Sequence, residues 1–275
     1  MSSLKFAVIG LGFIAPRHFA AIEHIGGEVI LTVDINKDRS VGDIPRYTDY
    51  QFLTAHPRWG EVDAVVILSP NDTHMDMAAW AVRVGKKVIS EKPLAIQSSV
   101  LSRFVGVRDI YTVMQLRYHP VMEELKKLDV EECELYVKVM RGPDYWAGWK
   151  GDEKQSGGIL FNIGIHYFDA LFQLFGNNCH TIEIEEKSKS RVKGSLQFYG
   201  LGCPVKFHIE VADTDEGQDR YILANGVKYR FSSQANLSAE DLHKKVYEDF
   251  VKEVGVRPID LLDLTRFIER LKLNV

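Results

Sequence analysis

Gly10, Gly12 and Ala15 form a G-x-G-x-x-A run after the β-rich segment from Lys5 to Ile9 and before a helical pattern from Ala15 to Ile25. The first glycine permits a tight turn, the second lets a pyrophosphate come up against the backbone, and the small third residue lets helix and strand pack closely. Amides at the helix start then face the phosphates. The next strand pattern, Val29 to Val33, ends in Asp34, about 20 residues on, where a carboxylate accepts hydrogen bonds from adenosine ribose hydroxyls. Taken singly, the glycines could be a bare turn and Asp34 a strand-end cap. Jointly they point to a bound dinucleotide, with Phe13 and Ile14 in the turn and Ile35 and Asn36 beside the carboxylate as further contacts. Asp34 would repel a 2'-phosphate, and Ile35 and Asn36 bring no cation to its side. NAD is therefore expected over NADP, although Lys37 and Arg39 stand close in the chain.

Three more polar groups follow strand-like runs, the position where ligands of doubly wound sheets bind. Ser69, Pro70, Asn71 and His74 follow the run from Ala64 to Leu68. Glu91, Lys92 and Pro93 follow Lys87 to Ser90, and Gln115, Arg117, Tyr118 and His119 close the run from Tyr111 to Leu116. A lysine at a strand end beside proline is, in isolation, equally a solvated loop cation. Downstream of Gly157-Gly158, Asn162, His166 and Asp169 recur at spacings of four and three residues, which puts them on one face of a helix. A lone histidine there would read as a satisfied core group, whereas a polar stripe on an otherwise apolar helix favours a site.

The elements that must hold these residues read as α/β. Helical patterns from Gln51 to Arg58, His74 to Val84, Ser98 to Val105 and Pro120 to Leu128 alternate with the strands, which predicts an N-terminal Rossmann domain with a doubly wound parallel sheet. Beyond it, runs from Glu134 to Met140, His180 to Glu186, Val192 to Tyr199, Val205 to Val211, Tyr221 to Ala224 and Val227 to Phe231 lack intervening helices. They predict an α+β domain with a mainly antiparallel, open-faced sheet. Asn225-Gly226 marks a tight hairpin turn. Helices from Ile163 to Phe175, Ala239 to Val254 and Ile259 to Leu271 complete the chain. The expected domains are 1–118 for NAD and 119–275 for substrate and oligomerisation, with the last helix able to pack back on the first domain.

Composition narrows the classes. A net charge of -4 and a pI near 6.2 argue against a nucleic-acid surface. No run approaches the roughly 20 apolar residues of a membrane span, and Met1 to Lys5 leads into a strand rather than a charged and then apolar leader. A cytoplasmic protein with no membrane partner is expected. Cys133, Cys179 and Cys203 show neither CxxC spacing nor a histidine pattern, so they are expected to be small buried groups, with no metal. An antiparallel sheet with one open face predicts a homodimer or homotetramer through that sheet.

From Lys5 to about Gly176 the chain resembles the Gfo/Idh/MocA family of oxidoreductases. The marks are the glycine turn, the Glu91-Lys92-Pro93 triplet and the Gly-Gly-x5-Gly-x-His-x-x-Asp segment, in that order. Gln115 to His119, Tyr145 to Asp152 and Asn162 to His166 are similar to a narrower group, the UDP-2-acetamido-2-deoxyglucuronate 3-dehydrogenases. Many family members carry aspartate where this chain has Asn162, which weakens a proton-handling role there, but asparagine is what the narrower group resembles. The resemblance implies oxidation of the 3-hydroxyl of a nucleotide-linked sugar to a 3-keto sugar, with hydride passing to NAD. His166 is the candidate base because imidazole titrates near neutrality, Lys92 would stabilise the developing oxyanion, and Asn162 would orient the sugar. Arg117, Tyr118, Tyr145, Trp146, Trp149 and Lys150 are candidate contacts for the anionic groups and sugar faces. Two other readings stand beside this one: a dehydrogenase of free sugars or inositols, and a non-catalytic NAD-binding regulator.

Overall fold

Near-continuous β-branched runs such as Ala64-Val-Val-Ile67 make strands buried on both faces, the signature of a parallel sheet covered by helices. A computed structural model describes residues 3–231 and 239–273. Its first part contains β1 (Lys5–Ile9), α1 (Ala15–His24), β2 (Glu28–Val33), β3 (Arg46–Tyr47), β4 (Ala64–Ile67), α2 (His74–Arg83), β5 (Lys87–Ser90), α3 (Ser98–Leu101) and β6 (Ile110–Thr112). There follow α4 (Pro120–Leu125), β7 (Cys133–Met140), α5 (Glu153–Ser156), α6 (Ile165–Phe175), β8 (Cys179–Lys187), β9 (Arg191–Phe198), β10 (Val205–Ala212), β11 (Asp219–Ala224), β12 (Val227–Arg230), α7 (Ala239–Val251) and α8 (Pro258–Leu273).

The chain forms two compact units. Among the described residues, the first comprises 3–95, 100–115 and 239–259, and the second 96–99, 116–231 and 260–273. The first unit carries a parallel sheet in the order β3-β2-β1-β4-β5-β6, the dinucleotide-binding arrangement. Ile9 pairs with Val33 on one side and with Ile67 on the other, so the segments leaving β1, β2 and β4 emerge side by side at one edge. Helix α7 is part of this unit. Its Tyr247 and Phe250 rings lie 6.2 and 6.1 Å from the ring of Phe6.

The second unit carries a sheet in the order β12-β11-β7-β10-β9-β8, antiparallel except that β7 and β10 run parallel. Alternation along β7 and β9 buries one face, against which Phe168 and Phe172 of α6 pack on Phe207 and Phe198. The β11–β12 hairpin turns on Asn225 and Gly226, both with positive φ, as their types require.

Several expected elements take a different form. The helix expected from Gln51 to Arg58 is two 3-10 helices, Tyr50–Ala55 and Pro57–Glu61, because His56 is extended and Pro57 brings no N–H to continue the first. The strand expected to run to Leu116 stops at Thr112 and gives way to a 3-10 turn, Gln115–Tyr118. The helix expected from Ser98 to Val105 is one α turn followed by the 3-10 turn Ser102–Phe104. The helical run Glu153–Phe175 is longer and more apolar than expected, enough by composition to cross a membrane, but it is mostly buried within the protein, as a core helix is.

Candidate active site

In the first unit the glycine turn is held by sheet and carboxylate together. Gly10 donates its N–H to the Val33 carbonyl at 2.8 Å and adopts φ +98°, a conformation that a Cβ would strain. The Asp34 carboxylate, nearly buried, accepts the N–H of Leu11 at 2.7 Å and of Asn36 at 2.8 Å, and Arg39 reaches it at 3.5 Å. Asp34 thus serves as a cap for the turn, and a carboxylate has lone pairs beyond these for a ribose. A cation does stand beside it, contrary to the expectation from Ile35 and Asn36 alone, and it comes from Arg39.

The surroundings fit a dinucleotide. A Cβ on Gly12 would meet nothing within 4 Å. Helix α1 starts without a side-chain cap, but its Ala15 and Arg17 N–H groups donate to the Gly12 and Ile14 carbonyls at 3.1 Å and Pro16 brings none, so a phosphate would be met by the turn and not by the first amides of the helix. Phe13 and Ile35, each 87% exposed, flank the turn as apolar surface that a bound adenine or ribose would cover.

Around this turn, Thr73 donates its hydroxyl to the Ser69 hydroxyl at 2.7 Å, and Asn71 is buried. His74, expected to touch the coenzyme, is fully buried, so it braces instead. Its Nδ1 lies 2.7 Å from the Pro93 carbonyl and its Nε2 2.8 Å from the Ser69 carbonyl, tying together the segments that follow β4 and β5. Burial lowers its pKa despite those two carbonyls. Glu91 is buried directly after β5, with partly buried Lys92 next to it, and the Lys92 N–H donates to Glu91 Oε2 at 3.2 Å. Gln115 keeps a buried Oε1 that has no hydrogen-bond partner among the described residues.

In the second unit, the Gly157-Gly158 pair ends α5 with both residues at positive φ. A Cβ on Gly157 would stand 2.7 Å from that of Phe161, so only glycine lets the chain enter the next helix this closely. The chain then makes a π-helical turn, Leu160–Gly164, before α6, the kind of wide turn often found at functional sites. Asn162, His166 and Asp169 are all buried on this run. Asn162 Nδ2 donates to the Tyr145 hydroxyl at 2.6 Å. The Lys150 ammonium lies 5.2 Å from the Tyr145 ring centroid and 5.8 Å from that of Trp149, and burial followed by the nearby Arg141 charge lowers its pKa.

Asn162, Tyr145, Lys150 and Trp149 are therefore brought together. Arg141 joins them, its guanidinium 5.9 Å from the Tyr145 ring, a residue the sequence reading passed over although it closes a strand before Gly-Pro. Arg117 is not among them. It forms a two-pronged pair with Asp169, Nε to Oδ2 at 2.8 Å and Nη2 to Oδ1 at 2.6 Å. Burial opposes its charge, yet the hydrogen bonds to Asp169 keep its pKa raised. His119 is likewise structural: its Nδ1 accepts the Val121 N–H at the start of α4. Tyr118 lies partly buried in the 3-10 turn after Arg117.

The doubly wound sheet, its glycine turn and the carboxylate after β2 define a dinucleotide-binding α/β protein. Two family profiles match the chain: "Oxidoreductase family, NAD-binding Rossmann fold" over residues 4–106 and "Oxidoreductase family, C-terminal alpha/beta domain" over 122–195. The chain belongs to the Gfo/Idh/MocA oxidoreductase family, with its NAD-binding Rossmann domain. Among solved structures it is similar to the WlbA dehydrogenase of Thermus thermophilus in complex with NAD and UDP-GlcNAcA, at 28% identity and TM-score 0.86, over 98% of this chain and 94% of that one. Curated relatives include an inositol 2-dehydrogenase of Salmonella typhimurium, 23% identical over 71% of this chain and 61% of that protein. The glucose-6-phosphate 3-dehydrogenase of Bacillus subtilis is 26% identical over 69% of this chain and 59% of that protein. Matches to the first curated relatives span 52% to 61% of their length.

Proposed function

We propose that the protein is an NAD-dependent dehydrogenase that oxidises the 3-hydroxyl of a nucleotide-linked sugar acid of the UDP-GlcNAcA type to a 3-keto sugar. The observation that supports this most is likeness along 98% of the chain to a dehydrogenase crystallised with NAD and UDP-GlcNAcA. Bound NAD supplies the hydride acceptor. The protein's own groups manage the proton and the charge: His166 takes the hydroxyl proton, and Lys92 stabilises the oxygen as it becomes negative. Asn162, oriented by its bond to Tyr145, holds a neighbouring sugar hydroxyl, and Lys150 and Trp149 meet the anionic group and the apolar sugar face. Arg117 acts indirectly in this reading, by fixing Asp169 one helical turn from His166. The protein works in the cytoplasm as a homodimer or homotetramer through the open face of the second sheet, where Tyr136 stacks on Tyr221 at 5.1 Å.

NADH formation against a panel of UDP-sugar acids, neutral UDP-sugars, free hexoses and inositols tests the reading. Turnover confined to UDP-sugar acids is expected. Turnover of inositol or free sugar instead would favour the second reading, which the curated relatives support. NAD binding with no oxidation of any panel member would favour a regulator. His166→Ala and Lys92→Ala should each lower turnover about a hundredfold while NAD affinity holds.

A further inference from the structure

Within the first unit, helix α1, the end of β5 and helix α7 converge on one carboxylate. His18 of α1 and His243 and Tyr247 of α7 are fully buried. His18 Nε2 lies 3.1 Å and His243 Nε2 3.6 Å from the same oxygen, Glu91 Oε1. The Tyr247 hydroxyl lies 2.8 Å from His18 Nδ1, and the two imidazoles meet edge to face with centroids 5.2 Å apart. Glu91 Oε2, on the other side, accepts the N–H of Lys92.

Counting hydrogens fixes the direction of this chain. A buried phenol has one hydrogen and needs an acceptor for it. Tyr247 faces His18 Nδ1, so it donates there, the His18 ring carries its hydrogen on Nε2, and that N–H donates to Glu91. His243 Nε2 is directed at the same oxygen. Burial by itself would raise the Glu91 pKa, but the two imidazoles hold it well below the usual carboxylate range. Two imidazoles and a carboxylate are also a zinc donor set. A metal on His18 Nε2 would turn the ring hydrogen to Nδ1, toward Tyr247, and leave the phenol hydrogen without an acceptor among the described residues. The hydrogen-bonded chain satisfies the Tyr247 phenol and the His18 ring, with His243 Nε2 3.6 Å from Glu91 Oε1, and is the arrangement the geometry favours.

We propose that Tyr247, His18 and His243 are positioning residues: they lock the Glu91 carboxylate, which in turn fixes the backbone at Lys92, so that helix α7 sets the placement of the lysine. This rests on the reading of Lys92 as the oxyanion stabiliser, and it is separable from that reading by experiment. The charged and titratable groups around Glu91 are His18, itself influenced by Arg17, from α1, His74 from α2, His243 and Tyr247 from α7, and Lys92.

The test uses the full-length protein and its His18→Ala, His243→Ala, His243→Gln and Tyr247→Phe variants. Carbon-13 NMR of the Glu91 carboxyl, hydrogen exchange at the Lys92 amide, and kcat, KM and NADH affinity are measured on each. In the native protein Glu91 stays ionised well below the usual carboxylate range. The alanine variants should raise its midpoint by about one unit or more, speed exchange at Lys92 about tenfold, and lower kcat about tenfold with NADH affinity within about threefold. His243→Gln, whose amide can donate to the same oxygen, should restore all three, and Tyr247→Phe should fall between. A drop in thermal stability with the midpoint, amide exchange and kcat unchanged overturns the proposal, as does stoichiometric zinc in the purified protein whose chelation shifts the two histidine resonances. If the native protein oxidises no sugar, the functional reading fails alone, and the Glu91 midpoint and Lys92 exchange still decide the relay.

Discussion

Arg117 shows how a residue with the chemistry of a ligand contact is committed elsewhere by its partner. Its planar guanidinium matches the Asp169 carboxylate at two points, and Asp169 is almost wholly enclosed. Arg117→Ala would leave that buried charge uncompensated. Urea unfolding should show a loss of about 3 kcal/mol, several times that of an exposed pair. Arg117→Lys should recover only part of it, since an ammonium cannot make the two parallel bonds. The cysteines give a second test at this scale. Burial pushes the Cys133 thiol up to about 12 and the Cys179 thiol up to about 11, which keeps both in the unreactive protonated form near neutrality. Of the three free thiols, only partly exposed Cys203 should react rapidly with a disulfide reagent at about pH 8, and all three after denaturation.

At the scale of elements, two glycines of one turn do different work and should fail differently. Gly10→Ala sets a Cβ 2.8 Å from the Leu68 carbonyl carbon and oxygen at φ +98°, so thermal unfolding should register a loss of about 2 kcal/mol or more. Gly12→Ala meets open space and should leave stability within about 0.5 kcal/mol of native. Its methyl stands where a pyrophosphate approaches, so NADH affinity should fall about tenfold in a fluorescence titration. Turn and strands were legible from sequence because both signals are local: glycine spacing for one, buried β-branched runs for the other. The two-residue β3 was not, since a pair of residues has no period. Nor was the π turn before α6, which spacing counted at 3.6 residues per turn cannot register. The site was legible in part for the same reason. Asn162 and His166 share one short segment, whereas His18 and Tyr247 meet across 229 positions of sequence and carry no pattern that joins them.

For the whole molecule, the decisive fact is that the coenzyme-binding unit is not a continuous stretch of chain. A boundary placed near Tyr118 follows the change from alternating strands and helices to consecutive strands, but α7 returns to the first unit after the second sheet is complete. There its Tyr247 and Phe250 cover Phe6 in the central strand β1, Phe250 lies 5.0 Å from Tyr111 of β6, and the Val256 carbonyl just beyond α7 accepts the Thr112 N–H at 2.8 Å. A fragment of residues 1–118 would expose that apolar face and leave Glu91 with one imidazole of two. It should unfold without cooperativity and bind NADH poorly. The same fragment joined by a flexible Gly/Ser linker to residues 239–259 should regain a cooperative thermal transition and measurable NADH binding. Cooperative unfolding of the short fragment alone would mean that the sheet is stable without α7, and that the helix is an accessory to the coenzyme unit instead of a part of its core.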